Sequence, residues 1–108
     1  MKNSYELSKG DIDAITAALA ILPAYDFAKY QNPDALFAVC TSAGSKLINH
    51  RQLTEQELGV VAISIDSAYK ALRNEITLND ENAKSQIRKF IFTYNKLLPL
   101  FSPFLDNE

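Results

Sequence analysis

Leu53-Thr54-Glu55-Gln56-Glu57-Leu58-Gly59-Val60-Val61-Ala62-Ile63-Ser64-Ile65-Asp66-Ser67-Ala68-Tyr69-Lys70-Ala71-Leu72-Arg73 is the stretch on which the fold turns. Thr54 stands three residues before Glu57, so its hydroxyl can accept from the Glu57 amide while the Glu57 carboxylate reaches back to the Thr54 amide. That reciprocal cap starts a helix, and Leu53 and Leu58 occupy the positions of a hydrophobic staple across the start. Beyond it, Leu58, Val61, Ala62, Ile65, Ala68, Tyr69 and Leu72 recur at spacings of three and four, which puts them on one face of a helix. The expectation is one unbroken helix whose apolar side is wrapped by others.

Upstream, Ser8 is a cap with Asp11 in the first turn, and a helix is predicted from Lys9 to Leu22 with Ile12, Ile15, Leu19 and Leu22 as its stripe. Ala14, Ala17, Ala18 and Ala20 let neighbours approach closely, and Pro23 predicts a stop or kink. The aromatics Tyr25, Phe27 and Tyr30 follow; they either plug one end of the core or line a small-molecule cleft. Asn32-Pro33-Asp34 reads as a cap, a first helical residue and an acid at the positive pole, opening a second helix to about Ile48. Leu36, Cys40, Ala43 and Leu47 form its inner face, with Phe37, Gly44 and Ile48 beside them. Glycine inside a helix costs about 1 kcal/mol relative to alanine, so Gly44 predicts a close crossing with the alanine-rich first helix.

Downstream, Asn79 or Asp80 caps a fourth helix running to about Leu98, with Ala83, Ile87, Phe90, Ile91, Tyr94, Leu97 and Leu98 inward and Pro99 closing it. The tail from Leu100 to Leu105 is too apolar for a solvated end and is expected to lie on the bundle or on a second subunit. The fold class read from these elements is all-α: a single domain over residues 1–108, an antiparallel bundle of four main helices with a short aromatic helical segment after Pro23 and an apolar C-terminal tail docked on the bundle.

Composition agrees. The chain has 108 residues, 47% apolar and 22% charged, enough for one core and unlike a disordered or membrane class. Three glycines and four prolines leave little turn chemistry, against a sandwich of many strands. A net charge of −2 gives no general attraction to nucleic acid or anionic lipid. One cysteine excludes an intrachain disulfide and a multi-thiolate zinc site and fits a reducing cytoplasm. Glu6, Asp11 and Asp13 against Lys2 and Lys9 give the wrong sign for a signal-peptide n-region before the apolar run Ala14 to Leu22.

Reaction chemistry has no foothold in the motifs. There is no glycine-rich phosphate loop, no Gly-x-Ser-x-Gly and no His-Glu-x-x-His. His50 is the single histidine, at a helix end beside Arg51, and Cys40 lies ten residues away, about 15 Å along one helix. No catalytic residue, metal or cofactor is expected.

Some residues do not fit the inward stripes. Val60 and Ile63 fall opposite the stripe of their helix, to be covered by the first helix, by the tail or by a second copy. Phe92 falls opposite the next one among Arg88, Lys89 and Lys96, a face that is solvated, paired with the neighbouring acidic helices, or open to an acidic protein or a nucleic acid. From Glu81 to Leu98 four cations meet one acid, a net +3 that leaves −5 on the rest of the chain. With the tail residues Phe101 and Phe104 these form a candidate surface for a protein partner, a second copy in a homodimer included.

Finally, Ile63-Ser64-Ile65-Asp66-Ser67-Ala68-Tyr69-Lys70-Ala71-Leu72-Arg73 resembles the turn and recognition helix of helix-turn-helix and winged-helix regulators. The resemblance implies a turn at Ile63-Ser64 and places Ser67, Lys70 and Arg73 toward DNA. The function expected is that of a small soluble helical interaction or regulatory protein of adaptor, inhibitor or immunity type. The alternatives are a helix-turn-helix DNA-binding regulator and a small-molecule-binding bundle built on Tyr25, Phe27 and Tyr30.

Overall fold

The computed structural model describes residues 7–25, 33–78 and 80–105, which form α1 (Lys9–Ile21), α2 (Pro33–Ile48), α3 (Glu55–Leu72), α4 (Glu81–Arg88) and α5 (Ile91–Phe101), with no strand among them. The central stretch is one continuous helix. Thr54 Oγ1 accepts from the Glu57 amide at 3.1 Å and a Glu57 carboxylate oxygen accepts from the Thr54 amide at 2.8 Å. Ser8 and Asp11 make the same reciprocal cap at the start of α1. Asp80 accepts from the amides of Asn82 and Ala83 to start α4.

α3 packs against all four other helices, so its stripe is the centre of the core. Val61, Ile65 and Ala68 are buried with Ile15 and Leu22 from the first segment and Ile87, Tyr94 and Leu97 from the last two helices. Burial of a side chain of this size is worth about 2 kcal/mol against leaving it in water. A 3-10 turn over Leu22–Ala24 takes in Pro23 and drives Tyr25 into the core.

Four expectations are corrected. The fourth helix is two: the Phe90 amide bonds back to Ile87 at 2.9 Å, a bond to the third residue back, and this tightened turn separates α4 from α5. No proline or glycine marks the place, and the inward residues keep helical spacing across it, so nothing local announces the break. Pro99 does not close the last helix, which continues to Phe101 before a 3-10 turn over Ser102–Phe104. The hydrogen bond that Pro99 withholds belongs to the carbonyl of the solvent-exposed Asn95, which water can serve. On α2, Phe37 and Ile48 are exposed at 64% and 62%. They sit beside an inner face reduced to Cys40, Ala43 and Leu47, with Leu36 half-buried.

Gly44 is the fourth. α1 does pack on α2, but a β-carbon at Gly44 would meet Thr16 Cγ2 at 4.0 Å, an ordinary van der Waals distance. Gly44→Ala is therefore expected to stabilise the fold by about 1 kcal/mol through helix propensity, read as a higher urea midpoint with unchanged slope. A destabilised G44A would restore the close-crossing explanation.

α2 and α3 end alike without glycine. His50 has φ 56° and Asn74 φ 62°, and the following amides reach back five residues, Arg51 to Lys46 at 2.7 Å and Glu75 to Lys70 at 2.8 Å. The left-handed position strains His50 more than Asn74, whose short amide side chain tolerates it.

Candidate functional site

The outward face of α5 follows from its inward one. Tyr94, Leu97 and Phe101 are buried, and the Tyr94 hydroxyl donates to the Ala14 carbonyl of α1 at 2.7 Å. With the helix pinned that way round, Phe92 is left 85% exposed, the most exposed large apolar side chain described. Lys96 lies one turn on and Leu100, 42% exposed, a turn further; Arg88 and Lys89 precede Phe92 by one turn at the α4–α5 corner. The Lys89 ammonium lies 5.4 Å from the Phe90 ring centre.

The face is cationic. No carboxylate occurs between Asn82 and Leu105, a stretch that holds Lys84, Arg88, Lys89 and Lys96. Lys96 Nζ lies 2.7 Å from Asp11 Oδ1, while its side chain stays 60% exposed. Burial by itself would raise the Asp11 carboxyl; the Lys96 ammonium and the Ser8 amide and hydroxyl outweigh it and hold Asp11 below the usual carboxylate range.

The other residues singled out from sequence do not join this face. Phe101 is buried at 1%, and Phe104 and Leu105 lie half-buried against the core, so the tail completes the bundle instead of offering surface. Val60 is half-buried on the core and Ile63 is exposed at 41%. Tyr25 is 1% exposed, inside the core and not on the wall of an open cleft, and its burial pushes the phenol up. Phe27 and Tyr30 lie outside the described residues.

Nor does the turn implied by the regulator resemblance form. α3 runs through Ile63 and Ser64 unbroken, with the Ser64 hydroxyl donating to the Val61 carbonyl at 2.7 Å. Ser67 is buried, Lys70 pairs with Asp66 at 3.0 Å, and Arg73 stacks 5.4 Å from the Tyr69 ring centre and pairs with Glu75 at 3.1 Å.

Sequence reasoning missed one polar cluster. Glu57 is 5% exposed and, besides capping α3, accepts from Ser42 at 2.5 Å and from Lys46 at 2.9 Å, both on α2. Burial alone would raise its carboxyl; Ser42, the Thr54 amide and Lys46 reverse that and hold it at about 2. Ser42 and Lys46 stand four apart on one face of α2, a spacing that was legible, but the acid they meet comes from another helix. The geometry makes Glu57 a tether between helices.

Cys40 is buried at 6%, and burial raises its thiol, the opposite of an activated nucleophile. Among the described residues no group of three or more His, Cys, Asp and Glu could hold a metal ion, and no helix is long and apolar enough to cross a membrane. No protein-family model matches this chain, and no curated protein and no solved structure does either.

Proposed function

We propose that this chain is a small interaction or regulatory protein, of adaptor, inhibitor or immunity type, that docks a protein partner on the outward face of α5 and performs no chemistry of its own. The observation that carries the proposal is Phe92, 85% exposed on a helix whose opposite side is locked into the core. In water the ring buries nothing, whereas a partner that covered it would take its apolar area out of solvent, on a backbone that the helix already fixes. Arg88, Lys89 and Lys96 around it supply a polar rim. In the same proposal α4 and α5 together act as the fourth member of an antiparallel bundle, in keeping with the short link between α2 and α3. The single cysteine favours a reducing cytoplasm as the setting.

A second copy of the chain is the alternative partner, favoured by Phe37 and Ile48, which lie eleven residues apart on one exposed face of α2. One experiment separates the two. A photoreactive benzophenone side chain is placed at position 92, at position 37 and, as control, at the exposed position 56, in cells making the full chain. Protein adducts at 92 and not at 56 are expected. Adducts composed of the chain's own peptides, formed from 37, would make the homodimer the assembly. No adduct from 92 would overturn docking on α5.

A further inference from the structure

Resting on the docking role proposed above, we infer that the α5 face takes an acidic amphipathic helix from another protein. The partner's chemistry follows from what the face offers and from what it repels. Phe92 and Leu100 are two apolar anchors eight residues apart on one helix, about 12 Å along its axis, a separation that apolar residues two turns apart on a second helix would match. Arg88 and Lys89 stand four and three residues before the first anchor at the α4–α5 corner, Lys96 stands between the two anchors, and of the three only Lys96 has a carboxylate partner among the described ion pairs, Asp11 of α1. A segment with Asp or Glu beside its apolar stripe meets all three cations at once, and such a rim sets partner choice more than raw affinity.

Two other occupants fit less well. A second copy docking the same face on itself about a two-fold axis would bring Arg88, Lys89 and Lys96 toward their own counterparts, like against like. A nucleic acid would find Phe92 and these cations but also the −5 carried by the rest of the chain, which opposes a long polyanion and tolerates a short acidic helix. Lys96 has a particular place here. Its ammonium is shared with Asp11 at 2.7 Å while most of the side chain is exposed, so it can lean toward a partner carboxylate without leaving a cation buried and alone.

The test uses the full chain and three fluorescent probes followed by anisotropy. The first is a synthetic helical peptide with leucines along one stripe and glutamates beside it; the second replaces every glutamate with lysine; the third is a single-stranded oligonucleotide. The glutamate peptide is expected to bind roughly tenfold tighter than the lysine peptide at low salt, an advantage that shrinks as added salt shortens the Debye length. Phe92→Ala, at an exposed position and so harmless to the fold, is expected to weaken the glutamate peptide roughly tenfold. The pair Arg88→Glu and Lys89→Glu should reverse the preference between peptides. Equal binding of both peptides, no saturable binding of the glutamate peptide, or tighter binding of the oligonucleotide each overturns the acidic-helix partner. Adducts from position 92 report independently: if they form while the glutamate peptide fails, docking stands and only the partner class falls.

Discussion

Tyr94→Ala is expected to remove about 4 kcal/mol of folding stability, on the scale of other aromatic-to-alanine truncations in cores. A domain of this size holds roughly 5–15 kcal/mol in all, so the variant sits near the edge of folding. Tyr94 is 0% exposed, its ring meets Phe90 edge-on at 6.1 Å between centres, and its hydroxyl ties α5 to the Ala14 carbonyl of α1. Burial, and then the neighbouring Tyr25, raise its phenol, so the hydroxyl remains a donor at any ordinary pH. Tyr94→Phe separates the ring from the bond, because the ring stays and only the hydroxyl goes; about 1 kcal/mol is expected. Urea unfolding of the two variants beside the parent measures both quantities. A Y94A loss under about 1 kcal/mol would be incompatible with a core centred on this ring. Because the same bond fixes which way α5 faces, Tyr94→Phe also bears on how firmly Phe92 is held outward.

Glu57→Gln is expected to cost about 3 kcal/mol at neutral pH, the free energy that corresponds to a carboxyl moved from 4.5 to about 2. The glutamine amide can still accept from Ser42 or Thr54, but it carries no charge for Lys46, and its own donors face other donors. The pH dependence has a definite sign. A carboxyl held below its unfolded value contributes stability that is complete above about 4.5 and is lost as pH falls toward 2, where the folded chain also takes up the proton. The gap between parent and E57Q should therefore close across that window, measured as unfolding free energies at a series of pH values. Asp11, lowered by Lys96 and Ser8 against its own burial, acts in the same direction, but it is present in both proteins and cancels from the difference. A gap that stays constant with pH would mean that Glu57 acts through shape and not through its charge.

The candidate site was half legible. Phe92 among Arg88, Lys89 and Lys96 stood out as an aromatic on the wrong side of a periodic stripe, and the structure places it outward. Phe101 belonged to a tail expected to lie on the bundle or on a second subunit, and the structure places it in the core. Helical spacing separates those two outcomes once α5 is known to run past Pro99, because Phe101 then continues the stripe of Tyr94 and Leu97 while Phe92 falls opposite it. α3 meets the tail, where a β-carbon at Gly59 would lie 3.9 Å from the Phe104 carbonyl, whereas Phe92 is left 85% exposed.

By itself the sequence determined where α1 to α4 begin, how far α3 runs and which stripes face inward, because caps and helical periodicity act over a turn or two and are written in neighbouring residues. Tertiary structure alone decided the break at Lys89-Phe90, the second set of bonds on Glu57 and the exposure of Phe37. Those outcomes are set by the space left between helices distant along the chain, and close packing in three dimensions has no signature in one.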